Sequence, residues 1–331
     1  MAEWLYEDGI GERRAALIAR GQIIECRVER DDDGVGAGAV TEARVIARET
    51  SGMHLVRLTT GEEALLTSLP AHTSIGAILR VEIVRSAIAE RDMIKRAKCR
   101  PAADGAQIRS APPLLEQATE TKLPVQKCHA HDPDLLEHAG WSEWMDAALS
   151  GNMPFAGGML RIALTPAMAV IDVDGALPAS DLARSGAAAA ACAIRALGIC
   201  GNIIIDLPTQ GNRAGRIAAA KAFDDALPPP FERTAVNGYG LLQIIRPRIG
   251  PSIAERWQFA PVESAALALL RRAERHSAHH IGADMTLCAH AGEIAWLSAR
   301  PALVAELTKR CGRRVHLRCD DAIGMGHGHV A

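Results

Sequence analysis

Three aspartates stand where they could do chemistry. Asp172 and Asp174 close the run Ala169-Val170-Ile171-Asp172-Val173-Asp174-Gly175, and Asp206 closes Asn202-Ile203-Ile204-Ile205-Asp206-Leu207-Pro208. Side chains alternate along a strand, so Asp172 and Asp174 share one face. Three carboxylates brought together repel one another unless they are protonated or bridged by a cation. An all-oxygen set with few protein ligands suits Mg²⁺, with Mn²⁺ as a substitute, because these ions keep several waters. That chemistry is metal-assisted phosphoryl transfer, with Asp172 and Asp206 as metal ligands and Asp174 beside them. A plainer arrangement of the same residues stays open, in which Asp174-Gly175 makes a turn and Asp206 merely ends a strand.

Positioning these residues requires two neighbouring strands. Between the apolar runs lies an Ala-rich segment of helical composition, with Ser180 as the expected N-cap and Gly198 just past its end. Strand, helix and strand make a βαβ unit, whose crossover sets the two strands parallel. Both aspartate clusters then reach the carboxyl edge of the sheet, where α/β folds build their sites.

A chain of 331 residues allows about two domains and a sizeable core. The formal charge of −2 argues against a globally basic nucleic-acid binder while permitting a local basic groove. Aromatic residues make up only 3% of the chain, too few for extensive base stacking. No apolar run approaches ~18 residues, so no membrane span is expected. The N-terminus lacks the basic and apolar regions of a secretion signal, and the expected location is the cytoplasm. None of the eight cysteines are spaced C-x-x-C, so zinc is not expected.

The fold class expected is mixed α/β (α+β), in five consecutive parts. Residues 1–33 read as an N-terminal hairpin, and 34–100 as a small OB-type barrel of short strands with Gly-containing turns. Residues 101–150 read as a weakly patterned connecting region, 151–258 as the α/β catalytic subdomain, and 259–331 as a small C-terminal α/β module. Trp141 and Trp144, three apart, are expected in the core. The barrel ends in a basic segment, Arg91, Lys95, Arg96, Lys98 and Arg100, which suits either a solvated face or a phosphate backbone.

Four ordered segments over 155–253 resemble the ribonuclease E/G family of bacterial Mg²⁺-dependent endoribonucleases. Phe155-Ala156-Gly157-Gly158 is similar to the family's S-G-G segment, and Leu164-Thr165-Pro166-Ala167-Met168-Ala169-Val170-Ile171-Asp172-Val173-Asp174 to its E-A-L-T-x-I-D-V-N strand. Ile203-Ile204-Ile205-Asp206-Leu207 resembles I-V-I-D-F, and Tyr239-Gly240-Leu241-Leu242-Gln243-Ile244-Ile245-Arg246-Pro247-Arg248 resembles F-G-L-L-E-M-[ST]-R-x-R. The resemblance implies Asp172 and Asp206 as the Mg²⁺-binding carboxylates, with Asp174 in the place of the family's Asn. It further implies a single-stranded RNA substrate, products with 5′-phosphate and 3′-hydroxyl ends, and backbone contacts from Arg246 and Arg248. An RNase H-like part containing the N-terminal hairpin is also implied.

The chain departs from the family pattern at several positions. Thr209 replaces the second acid of I-D-F-I-D, Gln243 replaces Glu, and Ser185 and Ala187 stand where the crossover helix has Asn and Glu. No C-P-x-C zinc link appears between Ile253 and Glu263, so a monomer or homodimer is expected in place of a zinc-linked tetramer, and the 5′-monophosphate sensor with its R-T motif reads as lost with much of the segment after Pro101. Two other functions fit the same residues. One is an RNA-binding module with weak or no cleavage. The other is a haloacid-dehalogenase-type phosphatase, since Asp172-Val173-Asp174-Gly175 resembles its D-x-D-G motif.

Overall fold

The computed structural model describes residues 2–71, 73–90, 93–279, 282 and 284–331. The fold is mixed α/β and forms two compact units. One gathers Met1–Asp31, Leu114–Leu149 and Arg256–Ala331, and the other Asp32–Pro113 and Ser150–Glu255.

Where a hairpin is read from the sequence, three antiparallel strands form: β1 (Ala2–Asp8), β2 (Glu12–Ala19) and β3 (Gln22–Arg30). Ala15, Ala16, Leu17 and Ile18 of β2 are consecutive and all buried, as a strand covered on both faces requires. The second unit begins with β4 (Val40–Arg48), β5 (His54–Leu58), β6 (Glu63–Leu66) and β7 (Ile78–Arg85). After a short pair, β8 (Ile88–Ala89) and β9 (Ile94–Lys95), comes β10 (Ala97–Pro101). These close a five-stranded barrel in the order β10-β6-β5-β4-β7. Its interior is filled by two residues per strand at a spacing of two: Ala43 and Val45, Val56 and Leu58, Ala64 and Leu66, Val81 and Ile83, Ala97 and Cys99. Burial there pushes the Cys99 thiol up to about 12, which makes it an inert core residue.

The weakly patterned stretch contains α1 (Leu114–Glu120), β11 (Val125–Cys128), α2 (Leu135–His138) and α3 (Trp141–Ser150). Strand β11 pairs in parallel with β1 and completes a sheet in the order β11-β1-β2-β3. Trp141 is fully buried and Trp144 half-buried.

The α/β part comprises β12 (Asn152–Phe155), β13 (Gly158–Leu164), β14 (Ala169–Gly175), α4 (Ala179–Ala196), β15 (Gly201–Asp206), α5 (Arg213–Ala226), β16 (Glu232–Arg233) and β17 (Leu241–Arg246). Its sheet runs β12-β13-β14-β15-β17-β16, and β14 and β15 are its parallel pair. Helix α4 lies close on the sheet because its buried side is almost all Ala. At Gly186 a Cβ would collide with Val173 Cγ1, so only glycine permits this approach. The helix ends as its sequence suggests, with Gly198 at φ 64°. It starts earlier than expected: the Pro178 carbonyl accepts the amides of Asp181 (2.9 Å) and Leu182 (2.9 Å), which places Ser180 inside the first turn and not at the cap.

The remainder is α6 (Ile253–Phe259), α7 (Pro261–His279), β18 (Met285–Ala289), α8 (Ala291–Ser298), α9 (Pro301–Cys311), β19 (Val315–Cys319) and β20 (His329–Val330). Its core, built on Leu267, Leu270, Leu287, Leu297 and Leu307, also takes in Ile10. Buried ion pairs tie the same two regions. Arg30 Nε lies 3.0 Å from Glu12 and its Nη1 3.3 Å from Glu263, while Arg271 reaches Glu12 at 3.2 Å. Arg14 pairs with Glu7 and, at 3.2 Å, with Asp134, and Arg275 reaches Glu7 and, at 3.0 Å, Asp134. No helix among the described residues is long and apolar enough to cross a membrane.

Candidate active site

Parallel pairing of β14 and β15 sets Asp172 directly beside Asp206. Residues in register on neighbouring strands point to the same face, and the strands lie roughly 4.8 Å apart. Ile171, Val173, Ile203 and Ile205 are buried on the helix side, whereas Asp172 is half-buried and Asp174 and Asp206 are exposed on the other. The open face and the strand end thus present the carboxylates together.

The electrostatics follow from that placement. Partial burial raises the Asp172 carboxyl above its ordinary value, and the charges on Asp174 and Asp206 raise it further. Arg161 and the Val173 amide oppose the shift without cancelling it. Arg161 stands across from Asp172 on β13 and pairs with Asp174 at 3.3 Å. Asp174 therefore has a cation of its own. Among the described residues no group of three or more His, Cys, Asp or Glu side chains is arranged to hold a metal ion. What the geometry offers is a pair of carboxylates in register, the donor set of an ion that retains most of its waters.

Loops at the same edge complete the setting. The Leu207 amide donates to the Gly240 carbonyl at 3.2 Å, and the Thr209 hydroxyl donates to the Tyr239 carbonyl at 3.4 Å. Gly240 has φ 94°, and a Cβ there would collide with the Leu207 carbonyl, so the two loops approach this closely only with glycine. Asn237 Oδ1 accepts the amides of Tyr239 (2.9 Å) and Leu241 (3.0 Å), a turn that holds the Tyr239 ring out at 80% exposure. Gln243 is exposed on the carboxylate face, where it pairs with Ile204. Ser185 is not offered to the site, because its hydroxyl donates to the Asp181 carbonyl at 2.8 Å, and Ala187 is buried.

The expected backbone-binding arginines lie elsewhere. Arg246 follows Leu242 and Ile244 at a spacing of two and so belongs to the helix-covered face, opposite the carboxylates. Its Nη1 donates to the carbonyls of Ile199 (2.9 Å) and Ile194 (3.3 Å), a positive group at the C-terminal end of α4. Arg248 pairs with Glu255. In the barrel segment, Lys95 pairs with Glu90, Arg96 lies 3.3 Å from Glu63, and Arg100 lies 2.8 Å from Glu82. Lys98 is half-buried, with no ion pair among the described residues. Arg91 lies outside the described residues. The Arg96 and Arg100 side chains are largely exposed, and ion pairs of that kind are weak.

These placements give a direct expectation. Arg246→Ala should cost about 1–3 kcal/mol in urea unfolding, because two helix-end carbonyls lose a charged donor. Unchanged stability would show that Arg246 does not cap α4.

Sequence reasoning passed over Arg161 and Tyr239 as functional residues. Arg161 could have been found from strand alternation once β13 was paired with β14. The Tyr239 signal is the Asn237-Gly238-Tyr239-Gly240 turn in a chain with only two tyrosines. No protein-family model matches the chain, and no curated protein sequence matches it.

Proposed function

We propose that this chain is a Mg²⁺-dependent endoribonuclease that cuts single-stranded RNA to 5′-phosphate and 3′-hydroxyl ends, as a pared-down relative of the ribonuclease E/G enzymes. The observation that carries the reading is the in-register placement of Asp172 and Asp206, with the Asp172 carboxyl raised by partial burial and then by the charges on Asp174 and Asp206. Two such carboxylates fit Mg²⁺, and Mn²⁺ in its place; the donor set contains no thiol that would favour zinc. A cation bound there would supply neutralisation of phosphodiester charge and acidify an attacking water. Asp172 and Asp206 hold it, and Asp174 and Arg161 set the charge beside it. The barrel supports the same reading. Its first three strands run β4, β5, β6 in a meander, and β10 inserts parallel to β6 and antiparallel to β7, an arrangement that fits an OB-type, single-strand-binding barrel.

RNA affinity then comes mainly from phosphate contacts, with log K falling by about 0.7 per contacted phosphate for each unit of log salt. Tyr239 adds one aromatic face at the cutting edge. Tyr239→Ala should weaken single-strand binding by about 1–3 kcal/mol, read by fluorescence anisotropy, and leave the unfolding midpoint unchanged. Unaltered binding would remove the tyrosine from the RNA path.

Cleavage of a fluorescent single-stranded RNA with Mg²⁺, with EDTA, and with Asp206→Ala tests the function itself. Cutting only by the unsubstituted chain with Mg²⁺ is the expected result. Binding without cutting leaves an RNA-binding module, and turnover of p-nitrophenyl phosphate lost in Asp172→Ala makes it a phosphatase.

A further inference from the structure

The connection that leaves Asp206 runs through Leu207-Pro208-Thr209-Gln210-Gly211-Asn212 into α5. Asn212 caps that helix by accepting the Gly215 amide at 2.7 Å. The amides of Arg213 and Ala214 have no intrahelical acceptor, as helix geometry dictates, and they face the positive end of a 14-residue helix. Side chains near such an end are ordinarily acidic. Here the first turn contains no acidic residue; Arg213 is exposed and Arg216 follows one turn on. Arg216 Nη1 donates to the Gln210 carbonyl at 3.1 Å, and neither arginine has a carboxylate partner among the described residues. Two cations at the positive pole of a helix repel it and each other unless an anion joins them.

An independent observation at the same place concerns Gln210. The residue is 6% exposed, and neither its amide nitrogen nor its amide oxygen has a hydrogen-bond partner. The side chain is folded against the first turn of α5, where a Cβ on Gly215 would collide with Gln210 Oε1. Buried polar groups are nearly always satisfied, so a covered amide unpartnered at both ends, beside two arginines without carboxylate partners, marks a place prepared for a ligand. Gly215 is what makes room for the Gln210 side chain.

We propose that the β15–α5 connection is a phosphate-binding subsite, formed by the first amides of α5, the Gln210 amide, and the Arg213 and Arg216 guanidiniums. Its ligand is a phosphodiester of the strand that passes Asp172 and Asp206. Phosphate suits the site because its oxygens accept several convergent N–H groups and its charge matches both the helix pole and a guanidinium fork. The identity of the ligand as RNA rests on the nuclease reading; the anion site itself rests on α5 and Gln210 alone.

The test uses the full chain with three probes. Inorganic phosphate should raise the unfolding temperature beyond chloride at equal ionic strength, and Arg213→Gln and Gln210→Leu should each abolish that difference. Gln210→Leu removes the buried unpartnered amide, so this variant should fold at least as stably as the parent, and a phosphate response lost in it is not unfolding. Single-stranded RNA in EDTA should bind about three- to tenfold more weakly to Arg213→Gln, with a salt slope smaller by about 0.7. A 5′-mononucleotide distinguishes a terminal from an internal phosphate, and RNA without a terminal phosphate should bind as well as RNA with one. Equal phosphate response in all three proteins overturns the subsite. A phosphate response lost in both variants while RNA affinity stays unchanged overturns the RNA assignment. A phosphate response in a chain that cuts no RNA supports the subsite and counts against the nuclease reading, so the two failures are told apart.

Discussion

Asp172→Asn and Asp206→Asn should each lower Mg²⁺-dependent RNA cleavage by on the order of a hundredfold or more, with the fold intact. Each substitution removes one of two adjacent donors, and Asp174 is paired with Arg161 beside them. The effect on stability has the opposite sign to a usual core change. The folded-state pKa of Asp172 is raised, so the folded chain binds that proton more tightly than the unfolded chain. Stability from this group is therefore fully present below its ordinary value of 3.8, and is lost as pH rises through the raised value. At neutral pH Asp172→Asn should melt at or above the temperature of the unsubstituted chain, and the difference should close as pH falls towards 3.8. Thermal unfolding across that range, measured without divalent ions, reads this separately from activity. A variant that cuts at near the parent rate, or one that unfolds at neutral pH, would show that these carboxylates are not a shared cation site.

The second large effect lies in the other unit. Arg14 has a side chain only 2% exposed, which pairs with Glu7 and Asp134 and stacks over Trp141 at 5.0 Å. Arg14→Ala leaves two carboxylates facing each other with Arg275 as their shared cation, and should cost about 3–5 kcal/mol in urea unfolding. Burial by itself would raise the Asp134 carboxyl, but Arg14, the Glu137 amide and Arg275 together hold it below its ordinary value. A depressed carboxyl contributes stability that is present above its unfolded value and lost as pH falls through the folded one. The parent should therefore lose stability in acid below pH 3.8, and Arg14→Ala should lose less over the same interval. A cost under about 1 kcal/mol would place the network among ion pairs that merely tolerate burial.

Much of the barrel was legible because its signal is local. Alternation at a spacing of two picks out Val56 and Leu58, or Val81 and Ile83, without reference to any partner strand. The βαβ unit was legible for a similar reason: two apolar runs flank an Ala-rich segment ended by glycine, and the crossover rule makes the strands parallel. The roles assigned to Arg246 and Arg248 came from the resemblance alone. Strand parity already places Arg246 with Leu242 and Ile244, away from the carboxylates, and its donation to Ile194 and Ile199 follows from that side of the sheet. The run 293–297 shows why short apolar segments mislead. Its residues would serve a strand, but they form helix α8, where His290 caps the first turn and Leu297 turns into the core.

The sequence by itself determined that two aspartate-tipped strands lie side by side, that a small barrel precedes them, and that the carboxylates share an edge. Each of these depends on period, chirality or capping within a few turns of chain. Tertiary structure alone decided the charge partners. Arg161 meets Asp174 across a strand pair, Arg96 meets Glu63 across the barrel, and Arg30 meets Glu12 and Glu263 from opposite ends of the chain. It also decided that residues 1–31, 114–149 and 256–331 form one unit. A charge carries no periodic signature of its partner. The pairs form only after collapse removes water and brings distant side chains within a few ångströms, so one-dimensional spacing could not disclose them.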